Sequence, residues 1–309
     1  MKRLTSEAFE LACRFLKTQA RPLDRALFEH RFEDAPAGLV LKELYHFQNR
    51  DGGFGRALEP DLRTSSSSAL TTAIGLRLLT ELGCDAEHPM VGTVVHWLLN
   101  DFDPLTDVWR VAPYDVNDHP HAPWWHDRAG SLARTFDDFQ VTPRAELVGL
   151  LHHFPSLVPP RWLREITETT VTCIETIEPL GSGGGDDLVY SLHLAGSENL
   201  PPAHKDRLLA RLRRVVPEVV NRDPEQWHTY CMTPLKVAPE PRSPVADLIW
   251  DAVQLHLDYQ IDQQTADGTW DPVWNWGGAY PEAWEQARLE WRGHLTLETL
   301  TSLRAYGRL

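Results

Sequence analysis

Apolar residues return along this chain every three or four positions, and no stretch alternates apolar and polar residues as a half-buried strand would. Leu4, Ala8, Leu11, Ala12, Phe15 and Leu16 form one stripe, and Leu39, Val40, Leu44 and Phe47 a second. Ala69, Ala73, Ile74, Leu76, Leu78 and Leu79 mark a more apolar helix that stops near Gly83. The same spacing predicts helices near 88–100, 143–154, 160–177, 186–195, 202–220, 244–263, 280–291 and 295–306. The fold class that follows is all-α. Between about 103 and 141 the periodicity lapses into a stretch rich in Pro, Asp, His and Trp, and a loop that long in a compact domain is usually functional or mobile.

Helix ends carry their own chemistry. Thr142 before Pro143, with Glu146 close behind, reads as a capping hydroxyl ahead of a first-turn proline. Ser65 to Ser68 offer caps for the helix that follows them. Gly181 to Gly185 reads as a hinge, after which Asp186 and Asp187 favour the positive end of the next helix. One helix end is used twice. Gln48-Asn-Arg-Asp51-Gly52-Gly-Phe54 returns as Gln264-Thr-Ala-Asp267-Gly268-Thr-Trp270, with identical spacing. A glutamine there can bond to backbone groups of a neighbouring helix terminus, Asp-Gly supplies a tight turn, and the aromatic residue packs back over the helix end. The repeat therefore points to copies of one helical unit and to a structural clasp rather than to chemistry.

Composition narrows the partners. The chain has 309 residues and a net charge of −14, with 30 basic against 44 acidic residues. That balance argues against nucleic acid or an anionic membrane surface as the main partner. Cys13, Cys84, Cys173 and Cys231 form no C-x-x-C pair, the N-terminus reads as an amphipathic segment rather than a leader, and no stretch approaches a membrane span. The expectation is a cytoplasmic protein with reduced thiols and a small-molecule ligand, its oligomeric state left open. Six of the 12 tryptophans fall between Trp250 and Trp291.

The segment from Gln48 to Leu82 resembles the repeat of the terpenoid cyclase and protein prenyltransferase superfamily. The likeness lies in the Gln-x-x-Asp-Gly-x-aromatic ("QW") pattern, then Gly55, the polar loop Glu59-Pro-Asp61-Leu-Arg63, and a small-residue-rich helix from Ser65. The whole chain also resembles a set of bacterial prenyltransferase-like proteins of about this length, a likeness that includes Asp118-His-Pro-His121-Ala-Pro-Trp124-Trp125 and the Trp291-Arg-Gly run. The resemblance implies an α/α toroid, inner and outer rings of helices around a central cavity. It implies a single domain over 1–309, with the 103–141 loop over one face. About 12 candidate helices fit five or six hairpins.

Two chemistries belong to that superfamily. Class II cyclases protonate an alkene or epoxide with an Asp-x-Asp-Asp acid, and this chain has only Asp101-Phe-Asp103, Asp137-Asp138 and Asp186-Asp187. Its tryptophans can stabilise carbocations from an aromatic wall or simply fill the core. Protein prenyltransferases hold zinc through Asp, Cys and His. Here His228 and Cys231 lie three residues apart without the family's Asp-x-Cys pairing, so they stand as weak metal candidates. No cofactor is called, with zinc or magnesium left open. Arg56, Arg63, Arg110, Arg128, Arg134 and Arg144 are available for a diphosphate.

Two loops hold the most distinctive residues. Asn117 to His126 sets His119, His121 and Asp118 among prolines and the indoles of Trp124 and Trp125. His119 and His121, two apart, share a side in an extended chain and so line a pocket, bind metal or exchange protons. Glu59 and Asp61 precede the small-residue helix, where acids cap the helix or meet a polar substrate. Catalytic candidates are thus Asp61, Glu59, Asp186 and Asp187, and binding candidates His119, His121, Trp124, Trp125 and Arg63. The expected function is a prenyltransferase- or cyclase-like protein acting on an isoprenoid or other apolar small molecule. The alternatives are a non-catalytic toroid that binds a ligand or protein, and a carbohydrate-active toroid. An apolar aromatic cavity favours the first, and a cavity lined by Asp, Arg and His favours the last.

Overall fold

The described residues of the computed structural model, 1–129, 141–178, 180 and 186–309, contain twelve α-helices and no strand. The chain divides into two compact units, one formed by residues 1–44 and 216–309 and the other by residues 45–215. None of the helices among the described residues is long and apolar enough to cross a membrane, and all four cysteines are free thiols.

In the second unit, α4 (Ala69–Glu81), α6 (Arg144–Leu151) and α8 (Asp186–Gly196) pack side by side, α6 touching both others. Helices α5 (Pro89–Asp101) and α7 (Pro160–Thr176) back onto α4 and α6 respectively. Sequence explains the two layers. Helix α4 buries Ala69, Leu70, Thr71, Thr72, Ala73, Gly75, Leu76, Leu78 and Leu79, and α6 buries seven of its eight residues, so both are covered almost all round. Helix α7 instead buries one stripe, Leu163, Ile166, Thr167, Thr170, Val171 and Ile174, and turns its charged face outward.

In the first unit, α12 (Pro281–Ala305) packs on α1 (Ser6–Thr18) and α2 (Pro22–Glu33), while α11 (Trp250–Asp262) packs on the short α10 (Pro234–Val237). The chain ends are tied together there. Leu4 donates its amide to the Arg308 carbonyl at 2.8 Å, and the buried Arg308 guanidinium bonds to the Lys2 carbonyl and to Asp258 Oδ1 at 2.6 and 2.8 Å. Helices α3 (Ala37–Tyr45) and α9 (Pro202–Val219) complete the set.

Several boundaries differ from the sequence reading. The helices expected at 280–291 and 295–306 are one 25-residue helix, α12. Gly293, near the expected break, lies where α12 approaches α2 closely. A Cβ there would stand 3.0 Å from the Ala20 Cβ and 3.1 Å from Asp24 Oδ2. The glycine permits that approach and does not end the helix. Helix α2 was not expected, because its apolar residues Leu23, Ala26, Leu27 and Phe28 are interleaved with charges and form no clean stripe. The Thr142 hydroxyl does not cap α6 but donates to Asp187 Oδ1 at 2.9 Å.

Each copy of the repeated turn lies in a different unit, and the two are built alike. Gln48 Nε2 donates to the Gly52 carbonyl at 3.0 Å and to the Met90 carbonyl, in the first turn of α5, at 3.2 Å. Gln264 Nε2 donates to the Gly268 carbonyl at 3.0 Å and to the Ala8 carbonyl, in the first turn of α1, at 2.9 Å. Gly52 and Gly268 hold φ of 99° and 87°. A Cβ at Gly52 would meet the Thr93 oxygen at 2.3 Å, and one at Gly268 the Leu11 carbonyl carbon at 2.5 Å. Each glutamine therefore clasps a helix that its glycine lets come close. The aromatic residues continue the parallel, with Phe54 N donating to Thr72 Oγ1 at 3.0 Å and Trp270 N to Thr296 Oγ1 at 3.3 Å. The Phe54 ring rests on Gly75 of α4.

Candidate functional site

The two loops singled out in the sequence meet in the second unit. Leu62 and His121 form an antiparallel bridge, Arg63 N donates to the Pro120 carbonyl at 3.1 Å, and Ala122 N donates to the Asp61 carbonyl at 2.8 Å. Glu59 and Asp61 are buried, in the turn that leads to α4. The Arg63 guanidinium reaches back to the Pro60 carbonyl at 3.3 Å. Trp125 is buried and Trp124 half-buried, both in one 3-10 turn, Pro123–Trp125.

The histidines do not present a shared face. His121 is buried, its Nδ1 2.6 Å from the His119 carbonyl and its Nε2 3.0 Å from His126 Nδ1, with the two rings stacked. Burial pushes its pKa down. His119 instead turns toward Asp115, at 3.4 Å. The Asp115 carboxylate also accepts from Thr64 Oγ1 at 3.1 Å and Ser66 Oγ at 2.7 Å, which braces the loop leading to α4. Asp118 is exposed. Among the described residues no three His, Cys, Asp or Glu side chains converge to hold a metal. Cys231 Sγ lies 3.7 Å from the Gln226 carbonyl. The arginines are engaged apart from one another, Arg56 with Asn49 at 2.9 Å, Arg110 with Asp127 at 2.5 Å, and Arg144 with Asp107 at 2.9 Å. Arg134, Asp137, Asp138 and the Gly181–Gly185 hinge lie outside the described residues.

Asp187 acts as a brace. Its buried Oδ1 accepts from Val141 N and Thr142 Oγ1, both at 2.9 Å, joining the start of α8 to the segment that enters α6. Asp186, the first residue of α8, adds its charge to a different group, around Tyr190. Three helices carry side chains to one place: Arg77 from α4, Glu146 from α6, and Tyr190 and His193 from α8. Glu146 is 2% exposed. Its Oε1 accepts from Arg77 Nη1 at 2.8 Å and lies 3.0 Å from His193 Nδ1. Its Oε2 is buried with no hydrogen-bond partner among the described residues. Burial alone would raise the Glu146 pKa, but the Arg77 and His193 charges and hydrogen bonds outweigh it and hold the carboxyl at about 2.

Tyr190 and His193 are neighbouring rings, with centroids 5.9 Å apart. Burial raises the Tyr190 hydroxyl well above its usual range. The charges of Glu146, Asp186 and Glu59 add to that effect, and Arg77 opposes it. Tyr190 nevertheless keeps part of its surface accessible, as does Arg77, and His193 is 39% exposed. Partly accessible side chains therefore surround the buried Glu146 carboxylate. Glu59 and Asp186 thus belong to the same electrostatic neighbourhood as Glu146.

Sequence reading missed Arg77, Tyr190 and His193 and took Glu146 only as a first-turn acid. A signal was present. Arg77 is the one charge between Ala69 and Thr80, and Glu146 the one charge between Ala145 and Leu151. A lone ion within a run of apolar residues must be paired or functional. Asp186, Tyr190 and His193, spaced i, i+4 and i+7, share one face of α8.

No protein-family model and no curated protein matches this chain.

Proposed function

We propose that this protein is a helical toroid of the terpenoid cyclase and prenyltransferase type whose recess takes a small hydroxylated molecule of carbohydrate character. The row α4, α6, α8 with α5 and α7 behind it, and the two matching Gln-x-x-Asp-Gly-x-aromatic clasps, support the toroid reading. The observation that carries the ligand reading is the buried Glu146 carboxylate. One of its oxygens holds Arg77 and His193, and the other has no donor among the described residues. A buried acceptor without a donor is costly, and a ligand hydroxyl would supply one only by entering between the partly accessible Arg77, Tyr190 and His193 side chains. Arg77, His193 and Tyr190 supply further polar contacts of the kind that orient a polyol. This polar wall favours the carbohydrate-type reading over the isoprenoid one, for which apolar walls are expected.

Proton NMR and thermal melting with a panel of monosaccharides and disaccharides test the proposal. Saturable shifts on the Tyr190 and His193 rings, weakened in Glu146→Gln, are expected. Binding of farnesyl diphosphate with no response to any sugar would overturn it in favour of the isoprenoid reading. That reading draws its support from an aromatic shelf in the first unit. There Trp274 stands 6.0 Å from Tyr230 and 5.0 Å from Trp291, edge to face, with Lys236 3.8 Å over Tyr230. Sugar binding without turnover of any glycoside would mark a binding protein.

A further inference from the structure

The contact between Glu146 and His193 is an ion-pair approach at the edge of the imidazole. A lone pair on His193 Nδ1 would face the negative Glu146 Oε1 only 3.0 Å away, so this contact favours the proton on Nδ1. The neutral ring then carries its lone pair on Nε2, at the opposite edge. Nε2 has no hydrogen-bond partner among the described residues, and the side chain is 39% exposed. A buried acid that fixes the tautomer of an accessible imidazole is the arrangement that makes histidine a directed base.

We infer that His193 is a general base of the recess and Glu146 its positioning residue. The inference rests on the proposed binding of a hydroxylated ligand there. The step is a single proton transfer. A ligand hydroxyl, or a water held against the ligand, gives its proton to His193 Nε2. The O–H bond breaks, an N–H bond forms, and the oxygen keeps the electron pair and becomes the nucleophile. The imidazolium that results lies against the Glu146 carboxylate, which offsets its charge without taking the proton. Arg77, 2.8 Å from the same oxygen, keeps that carboxylate ionised and fixes its orientation. The Tyr190 ring lies beside the imidazole, with centroids 5.9 Å apart. Among the described residues, Glu59 and Asp186 also act on Tyr190, and Glu81 lies 4.0 Å from Arg77 Nε. His193 is therefore the catalytic group, and Glu146 acts through it.

Nitrogen-15 NMR of the full-length protein, at about pH 8.5 where an ordinary imidazole is neutral, reads the tautomer directly. The His193 resonances should report Nδ1–H with Nε2 bare, the less common form for a free histidine. Glu146→Gln should shift the population toward Nε2–H while the other histidines stay unchanged, an effect that a merely packing role for Glu146 would not produce. Diethyl pyrocarbonate should carbethoxylate His193 at Nε2, several-fold more slowly in Glu146→Gln. A wild-type His193 in the Nε2–H form would overturn the inference while leaving sugar binding in the recess untouched. Failure of every sugar to perturb the recess, with Nδ1–H found, would overturn the proposed ligand and not the dyad. If Glu146→Gln does not fold, Arg77→Lys serves as the second variant. It keeps the charge on Glu146 but loosens its orientation, so the Nδ1–H population should fall, and an Nδ1–H population identical to wild type would count against the Arg77-held Glu146 as the orienting group.

Discussion

Gly268 of one turn stands so close to Leu11 of α1 that a single added Cβ would lie 2.5 Å from the Leu11 carbonyl carbon. Gly52 repeats that relationship with Thr93 of α5 at 2.3 Å, and both glycines hold positive φ. Gly52→Ala and Gly268→Ala should each destabilise the protein by about 2–4 kcal/mol, combining left-handed strain with overpacking against backbone. Gly83, with φ of 72° and open space around its Cβ position, is the control. Its alanine variant should cost about 1 kcal/mol. Urea denaturation of the three variants checks the ranking, and equal losses would mean that the close approach is unimportant.

Phe54 and Gly75 form the other half of the first clasp. A Cβ at Gly75 would lie 2.4 Å from the Phe54 ring, so Gly75→Ala should cost about 1–3 kcal/mol. Phe54→Leu removes ring atoms from that contact and should recover part of the loss. In a double-mutant cycle the coupling should exceed about 0.5 kcal/mol. Strict additivity of the two changes would show that the ring does not sense residue 75.

Glu146 should matter for stability as well as for binding. Removing a buried partner of an ion pair costs about 3–5 kcal/mol when the other charge stays buried. Arg77 is 31% exposed and can recover water, so Glu146→Leu should cost less, about 1–3 kcal/mol. The folded-state carboxyl, at about 2, lies below its ordinary 4.5. The folded protein therefore binds fewer protons between those values. The contribution of Glu146 is fully present above about pH 4.5 and is lost as pH falls toward about 2. Calorimetric unfolding from neutral to acid pH should show this limb in wild type and its loss in Glu146→Leu.

How much of this was legible beforehand depends on which physical rule was at work. Helices α4, α6, α7 and α8 follow from periodicity and caps to within a few residues, because one face or all faces of each are apolar. The clasp was legible because Gln-x-x-Asp-Gly is a local device whose partners lie within the turn and one neighbouring helix. The site was half legible. Glu59, Asp61, His119, His121 and Asp186 were drawn from loops and helix starts, and the structure does join the first two loops at the Leu62–His121 bridge. Arg77, Glu146 and His193 come from three helices between 69 and 196, and their pairing is tertiary. Periodicity reports which face of a helix is buried, not which polar side chains from separate helices converge there.

His256 gives a second, independent pH dependence in the first unit. It is 2% exposed, with Trp227 edge to face at 4.5 Å and Tyr259 stacked at 5.8 Å. Its Nε2 lies 3.3 Å from Gln260 Nε2, and its Nδ1 has no partner among the described residues. Burial, with a smaller contribution from the nearby Lys236 charge, pushes its pKa from the ordinary 6.5 down to about 3. The imidazole is buried neutral. Between about pH 3 and 6.5 the unfolded chain holds a proton that the folded chain does not, so stability rises with pH across that window and is complete above it. The slope is at most about 1.4 kcal/mol per pH unit. His256→Phe keeps a ring between Trp227 and Tyr259 and removes the titration. Urea denaturation at about pH 5 and pH 7.5, above the Glu146 window, should show a clear gain for wild type and a smaller one for the variant. Identical gains in the two proteins would mean that His256 accepts its proton in the folded state as readily as in the unfolded one.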